Sequence, residues 1–471
     1  MYEMLTATND MGREKLEEHA RKHQVCPFEM ALDLSTWVDA VIGDYNYAFD
    51  PNAHLKRFFT EGKKGEYLFL IDEAHNLVER AREMYSAVLY KEDFLKIKNK
   101  VKYEDLKLAR KLDACNKVLL EYKWECESYQ IRSHLSDFIL RLMNVQTGFE
   151  KYLEDQDDVE KEVLEFYFSV REFLNIYDTL DDNYEIYTEL EADGRFKIKL
   201  FCVNPAQNLE TYLSQGNSTI FFSATLLPIQ YYKKLLSVEK EDYAIYAHSP
   251  FESANRCLLI GTDVSSKYTM RKASMYERYA EYIMQIATAK KGNYMVFFPS
   301  YRFMEDVYEV LESHLCLQKI GCVKQEQYMD EEKREAFLQE FEKERTDSLI
   351  GLCVMGGVFS EGIDLVEEKL IGAILVGTGL PQVCNEREIL KQHFDFQDAY
   401  LYPGMNKVLQ AAGRVIRTER DRGVVILLDE RFMQRQYQDI FPREWCHYQI
   451  CNVKTIKGMI ESFWNKEEAL S

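Results

Sequence analysis

Short apolar runs with the length of a β-strand alternate with helical segments over most of the chain. The runs are bounded by turn residues and lie at Tyr67–Ile71, Lys197–Val203, Thr219–Ser223, Tyr294–Pro299, Ile350–Met355, Ile371–Val376 and Val424–Leu428. Strands that are buried on both faces, as in parallel sheets flanked by helices, appear as continuous apolar runs. The pattern therefore predicts an α/β protein with two parallel-sheet units.

The stretch 89–189 has a different periodicity. Apolar residues recur there at spacings of three and four, as in Phe94, Ile97 and Val101, which is the pattern of an amphipathic helix. The stretch contains no proline and a single glycine, Gly148. It predicts an all-helical insertion in the first α/β unit. That unit would comprise residues 1–88 and 190–236, and residues 237–471 would form the second.

Composition and charge narrow the class of protein. Apolar residues make up 46% of the 471 residues, which is enough for packed cores and excludes a disordered chain. The net charge of −20 argues against coating of nucleic acid by bulk charge, although a local basic groove remains compatible with it. No apolar run approaches the ~20 residues of a membrane span. The 11 cysteines form no CxxC pair, which favours reduced thiols in a cytoplasmic protein.

Adjacent carboxylates follow the first apolar strand. Tyr67–Ile71 leads directly into Asp72, Glu73, Ala74 and His75. Ligands bind at the carboxyl ends of strands in open α/β sheets. Hydrolysis of a nucleoside triphosphate needs one carboxylate near Mg²⁺ and a second polar group that orients water, which suits Asp72 and Glu73. The tetrapeptide alone is equally consistent with a solvated loop.

Two further motifs follow apolar strands. Ser223 and Thr225 come after Phe221 and Phe222, where they are placed to hydrogen-bond the acidic loop. An ordinary strand end with a helix cap is the simpler interpretation of that pair. The glycine-rich segment 356–364 allows the backbone to approach a ligand closely, although a plain glycine-rich turn fits it as well.

A fourth motif combines an amide with two guanidinium groups. Gln410, Arg414 and Arg417 have the spacing i, i+4 and i+7, which predicts that they share one face of a helix. Such a face suits the spread negative charge of a transferring phosphoryl group. A salt-bridged surface helix is the alternative. The small residues Ala411, Ala412 and Gly413 indicate a helix that packs closely against its neighbour.

The order of these motifs, with FFPSY at 297–301 between the second and third, resembles the DinG/XPD group of superfamily 2 helicases. The resemblance implies two RecA-like motor domains that use ATP and Mg²⁺. It implies that Asp72 and Glu73 bind Mg²⁺ and position water, and that His75, Ser223 and Thr225 couple the two domains. It also implies that Glu361, Gly362 and Asp364 of the glycine-rich loop contact ATP. Gln410, Arg414 and Arg417 would face the γ-phosphate.

The resemblance also implies a nucleic-acid partner. It implies a monomeric ATP-dependent helicase that moves 5′ to 3′ on single-stranded and forked DNA in repair or replication. Stacking of an aromatic side chain on a base is worth ~1–3 kcal/mol whatever the base. The residues at the positions of strand-contact motifs are Tyr45, Asn46, Tyr47, Ser300, Tyr301 and Arg302.

The chain departs from the family in its phosphate-binding loop. The family holds the β- and γ-phosphates with a GxxxxGK[ST] loop, and no segment of this sequence has that spacing. We therefore expect an N-terminally truncated member, with a first motor domain that is incomplete and with weak or absent ATP turnover. A non-catalytic nucleic-acid-binding or interaction protein is the main alternative, and an RNA-directed helicase is a weaker one.

Cys26 extends the same expectation to an iron–sulfur cluster. It matches the fourth of the cysteines that hold a [4Fe–4S] cluster in the family, and the next cysteine in the chain is Cys115. One ligand does not hold a cluster. We therefore expect none in this chain, and one only in a protein that also carries the other cysteines. The simpler interpretation of Cys26 is a buried thiol.

Overall fold

The computed structural model describes residues 6, 11–59, 64–156, 158–239, 241–360, 365 and 369–465. The chain divides into two compact units, residues 1–63 and residues 64–471. The described part of the smaller unit has three helices: α1 (Arg13–His23), α2 (Pro27–Ser35) and α3 (Asn46–Phe49). Its core is small, since Ala20, Met30 and Leu34 form the one buried cluster described there.

The larger unit contains the remaining elements. Its strands are β1 (Leu68–Ile71), β2 (Ala87–Tyr90), β3 (Tyr129–Ile131), β4 (Tyr184–Leu190), β5 (Phe196–Cys202), β6 (Ser218–Phe221), β7 (Arg256–Gly261), β8 (Asn293–Phe298), β9 (Gly321–Lys324), β10 (Leu349–Val354), β11 (Gly372–Val376), β12 (Gly423–Leu428) and β13 (Gln449–Cys451).

The helices of the larger unit connect these strands. They are α4 (Ala74–Met84), α5 (Lys91–Val101), α6 (Leu106–Glu125), α7 (Ser136–Glu154), α8 (Lys161–Asp178), α9 (Ala206–Leu213), α10 (Ile229–Leu236), α11 (Ala273–Ala289), α12 (Tyr301–Gln318), α13 (Glu331–Glu342), α14 (Asn385–His393), α15 (Tyr402–Ala412), α16 (Arg435–Gln438) and α17 (Ile456–Asn465). A π-helical segment, Gln397–Leu401, leads into α15. Among the described helices, none combines the length and apolar composition needed to cross a bilayer.

Seven parallel strands form the sheet of what we call the second lobe. Their order is β13-β7-β12-β11-β8-β10-β9, and every neighbouring pair is parallel. Apolar clusters cover both faces, with α11, α12 and α17 on one side and α13 and α15 on the other. The strands predicted at 294–299, 350–355, 371–376 and 424–428 are confirmed to within one residue at each end, and so is the α/β class of the fold.

A two-stranded sheet forms the strand core of the first lobe. β1 and β6 are parallel, with Leu68 opposite Ser218 and Ile71 opposite Phe221. Because parallel strands end at the same edge of a sheet, the residues after Ile71 and those after Phe221 emerge side by side. This pairing brings the acidic loop next to Ser223 and Thr225, as the sequence predicted.

The prediction that residues 89–189 are helical throughout was wrong. Four helices of that stretch do pack around a core of aromatic side chains, which includes Phe94, Phe138 and Phe173. Residues 129–131 and 184–190, however, are strands β3 and β4. They belong to a four-stranded sheet of order β2-β5-β4-β3 in which all pairs are antiparallel.

The strand predicted at Lys197–Val203 therefore exists, but it does not belong to a parallel sheet. It pairs with β2 and β4 in the antiparallel sheet. That sheet packs on the second lobe, where Tyr187 and Phe201 share a buried cluster with Ile389 and Tyr400. The Tyr187 hydroxyl also donates a hydrogen bond to Glu386 at 2.7 Å. Burial against this distant partner favours the strand over the helix that local spacing predicts.

Candidate functional site

The acidic loop at the end of β1 has an unusual backbone. Glu73 immediately precedes α4 and has a φ of +45°, in the left-handed region that non-glycine residues rarely occupy. Its backbone N–H donates a 2.8 Å hydrogen bond to the Asp72 carboxylate. Such conformations persist where the surrounding structure enforces them, and they are concentrated at functional sites. Both carboxylates are exposed at the strand end.

Hydroxyl and imidazole groups of the first lobe converge on Glu73. The Ser223 hydroxyl donates to the Glu73 carboxylate at 3.1 Å, and His75 Nδ1 lies 2.8 Å from the same Ser223 oxygen. The Thr225 hydroxyl lies 3.3 Å from His75 Nδ1. His75 is buried, so the bonds that its own ring makes have little competition from water. The structure thus brings together His75, Ser223 and Thr225, the residues to which the family resemblance assigns coupling.

The second lobe reaches this cluster through Gln410. This residue is buried near the end of α15, and its amide nitrogen hydrogen-bonds His75 Nε2. With the amide oriented so that its NH₂ donates, His75 Nε2 accepts, and this arrangement assigns the ring proton to Nδ1. The bonds then run in one direction, from Gln410 to His75, from His75 to Ser223, and from Ser223 to Glu73. We call this series the interlobe chain.

Arg414 and Arg417 do not share a helix face with Gln410, so that prediction was wrong. α15 ends at Ala412, and the backbone turns after it. Further along, the Asp421 carboxylate accepts the backbone N–H groups of Arg417 at 2.6 Å and Thr418 at 2.7 Å. Acceptors of this kind replace the carbonyls that a continued helix would use.

Arg414 is nevertheless buried beside the glycine-rich loop. Its Nε donates to the Ser360 carbonyl at 3.0 Å, and the Ser360 hydroxyl accepts the Gly356 N–H at 2.9 Å. Arg417 is exposed. The loop residues predicted to contact ATP, Glu361, Gly362 and Asp364, lie outside the described residues.

The residues predicted to contact DNA lie at two places. Ser300, Tyr301 and Arg302 follow β8 at the carboxyl edge of the second-lobe sheet, where Ser300 caps α12 and the Tyr301 hydroxyl accepts from Gln325 at 2.8 Å. Tyr45, Asn46 and Tyr47 lie at the start of α3 in the smaller unit, with Tyr47 exposed.

A group of charged residues was missed by the sequence reasoning. Arg82 on α4 is 4% exposed and donates to Glu79 at 3.0 Å and to the Val203 carbonyl at 3.1 Å. Arg387 of the second lobe lies 3.3 Å from the same Glu79 oxygen. Burial alone would raise the pKa of Glu79, but the two guanidinium groups hold that pKa below its ordinary value. The one feature of the sequence that could have indicated this group is the position of Arg82, directly after the apolar residues of α4.

The residues present fit a magnesium ion better than an iron–sulfur cluster. Mg²⁺ is commonly held by one or two carboxylates together with substrate phosphates, and the exposed Asp72 can supply such a ligand. Cys26 is exposed rather than buried, and no cluster of three or more metal-ligating side chains occurs within the described ranges. A [4Fe–4S] cluster needs four thiolates, so the described residues do not fit one.

Two helicase family models match parts of this chain, and curated helicases are similar to it. A helicase C-terminal domain family, Helicase_C_2, matches residues 283–448, and the DEAD_2 family matches residues 2–94. The ATP-dependent DNA helicase XPD of Sulfolobus acidocaldarius is 27% identical over 443 residues, which cover 89% of this chain and 74% of that protein. The yeast (Saccharomyces cerevisiae) XPD/RAD3 helicase subunit of general transcription and DNA repair factor IIH is 25% identical over 260 residues, which cover 51% of this chain and 33% of that protein.

Solved structures give the same fold. An XPD helicase structure superposes with a TM-score of 0.60 at 22% identity, covering 94% of this chain and 79% of that one. The structure of S. tokodaii Xpd4 gives 0.58 at 19% identity, covering 86% and 81%. The family models, these relatives and the shared RecA-like architecture agree with the motif order. The chain belongs to the DinG/XPD-type group of superfamily 2 helicases, a family of enzymes.

Proposed function

We propose that this chain is an ATP-dependent DNA helicase motor that couples hydrolysis to 5′ to 3′ movement on single-stranded DNA and to duplex unwinding in repair or replication. The interlobe chain is the observation that carries the proposal. It links Gln410 of one lobe to the Glu73 carboxylate of the other through His75 and Ser223. A change at the carboxylate would thereby alter the contact between the lobes.

The two lobes would divide the chemistry of phosphoryl transfer. Asp72 would hold Mg²⁺, and this ion would neutralise charge that develops on the phosphates. Glu73 would orient the attacking water. Arg414, which the Ser360 carbonyl holds in place, would stabilise negative charge from the opposite lobe, and Arg417 would assist when the cleft closes.

Hydrolysis would be transmitted through the same contacts. When the terminal phosphate leaves, the field at Glu73 changes, and the hydrogen bonds of Ser223 and His75 that end on it must readjust. Because Gln410 is bonded to His75, that readjustment favours opening of the cleft. Tyr301 and Arg302 at the second-lobe sheet edge, and Tyr45, Asn46 and Tyr47 in the smaller unit, would contact the strand by stacking and by phosphate contacts.

We expect turnover by the 471-residue chain to be slow. No GxxxxGK[ST] segment occurs in its sequence, and each charge-assisted contact to phosphate that is missing costs roughly 1.5–3 kcal/mol. The same observation favours a second candidate, a nucleic-acid-binding protein without catalysis. Against it stand the strained Glu73 and the completed interlobe chain, neither of which such a protein would require.

Single-turnover ATP hydrolysis distinguishes the two candidates. With enzyme in excess, we expect slow hydrolysis that oligo-dT accelerates. Glu73→Gln should reduce the stimulated rate by about 10²-fold, since positioned acid–base groups contribute at least that much. Glu83→Gln is the matched control, because Glu83 is exposed on α4, the helix that Glu73 precedes, and pairs with Arg80. Equal rates for wild type and Glu73→Gln would exclude the motor. Hydrolysis as fast as that of helicases with a GxxxxGK[ST] loop would refute the expectation of slow turnover.

A further inference from the structure

Three cations lie near one carboxylate between the lobes, and two of them pair with it. Glu79 of α4 already pairs with Arg82 at 3.0 Å and with Arg387 of α14 at 3.3 Å. Lys407 lies on α15, one turn before Gln410. The charge of Arg387 repels its ammonium, and the charge of Glu79 attracts it. The next nearby carboxylate, Asp398, is occupied by an ion pair with Lys234. The group is therefore short of negative charge.

Lys407 forms an ion pair with none of the described residues. Within the described part of the chain, its ammonium makes neither a hydrogen bond nor an ion pair, and its side chain is only partly exposed. Burial lowers the pKa of Lys407, and Arg387 lowers it further, which outweighs the attraction of Glu79. A desolvated cation without a partner costs free energy. Folding alone gives no reason to place a lysine here.

The ammonium lies over a position that has no side chain. Gly356 follows β10 at the carboxyl edge of the second-lobe sheet, with a φ of +72°. A Cβ atom built on Gly356 would lie 3.0 Å from Lys407 Cε and 3.3 Å from Lys407 Nζ. The Lys407 side chain thus packs closely on the backbone of Gly356, and this contact holds its ammonium at the sheet edge where ligands of open α/β folds bind.

We propose that Lys407 binds a phosphate oxyanion of a ligand that enters the cleft between the lobes. The ammonium would act as a point charge that completes the charge balance of the cluster around Glu79. Two ligands supply this chemistry, the backbone of single-stranded DNA and the phosphates of the nucleotide. The choice of these two ligands rests on the proposed function. The inference adds a phosphate-binding role for Lys407, a residue outside the motifs.

Binding measured against salt separates the two ligands. Lys407→Met would be compared with wild type and with Lys391→Met, a control whose lysine is exposed on α14 and pairs with Glu388. If the ligand is DNA, the slope of log Kd against log salt for fluorescent dT20 falls by about 0.7, and mixed-sequence strands weaken equally. If it is nucleotide, the Kd of fluorescent Mg·ADP rises several-fold while the DNA slope is unchanged. Either result supports the proposal.

A second measurement keeps the inference separate from the motor function. In wild type carrying ¹³C-methylated lysines, inorganic tripolyphosphate should raise the pKa of Lys407, whose signal is assigned by its loss in Lys407→Met. The unliganded variant should unfold at the same denaturant concentration as wild type or a higher one. If wild type binds dT20 and nucleotide but Lys407→Met binds both equally well, this inference fails and the motor stands. An unchanged pKa with tripolyphosphate, or a clear loss of stability, also overturns it.

Discussion

Replacing Glu79 by glutamine is expected to lower the free energy of unfolding by about 3 kcal/mol, the lower end of the range for breaking a buried ion pair. Arg82 is 4% exposed, and the neutral amide of glutamine would leave its guanidinium without the counter-charge that Glu79 supplies. Arg387 and Lys407 would then lie near it without a balancing carboxylate. The lower end applies because the Glu79 side chain itself is 47% exposed, so water screens part of its charge.

Urea denaturation followed by circular dichroism measures this effect, with Glu83→Gln as the control. Glu83 lies on the same helix, and both it and its partner Arg80 are exposed. Exposed pairs contribute at most about 1 kcal/mol, so this variant should unfold close to wild type. Indistinguishable midpoints for the two variants would show that Glu79 does not hold the charged group together.

Asp429→Asn is expected to cost about 3–5 kcal/mol. The Asp429 carboxylate is fully buried after β12. It accepts the Ser266 N–H and hydroxyl, each at 2.8 Å, and two guanidinium nitrogens of Arg431, each at 2.9 Å. The amide keeps the shape of the carboxylate but turns one acceptor into a donor and leaves Arg431 without its counter-charge.

The cost should also depend on pH. Burial alone would raise the pKa of Asp429, but the Arg431 hydrogen bonds and charge lower it below its ordinary value. A folded-state pKa below the unfolded one, about 3.9, gives stability that is fully present above that value and is lost as pH falls through the folded pKa. The difference between wild type and Asp429→Asn should therefore be constant near neutral pH and shrink in acid.

Denaturation midpoints between neutral pH and pH 3 check this prediction. Asp439→Asn is the control, because Asp439 is 67% exposed and lies 3.7 Å from the exposed Arg435. It should change stability by less than about 1 kcal/mol at every pH. A loss for Asp429→Asn that stays constant down to pH 3 would contradict the assigned ionisation.

The elements that the sequence predicted best are strands of parallel sheets that are buried on both faces. The strands at 294–299 and 424–428 appear as continuous apolar runs because helices cover both faces of their sheet. The approach of Ser223 to Glu73 was predictable for a related reason, since parallel strands end at a common edge. In these cases the local pattern and the tertiary environment favour the same structure.

Elements that depend on distant partners were not predictable. β4 is a strand because Tyr187 packs on residues of α14 and the π-helical segment, about two hundred positions further along the chain. α15 ends at Ala412, and the Asp421 carboxylate, not a helix carbonyl, accepts the Arg417 N–H. The approach of Arg387 to Glu79 likewise depends on how the lobes meet. No local spacing carries this information.

Equilibrium binding of a fluorescent, non-hydrolysable ATP analogue with Mg²⁺ tests most directly whether both lobes hold one nucleotide. The measurement compares wild type, Asp72→Asn, Arg414→Met and the double variant. We expect each single change to weaken binding about tenfold. The loss of binding free energy in the double variant should differ clearly from the sum of the two single losses, because residues that contact one ligand together are energetically coupled. Strictly additive losses, single variants that bind as wild type does, or a wild type that does not bind at millimolar concentrations would contradict a shared nucleotide site.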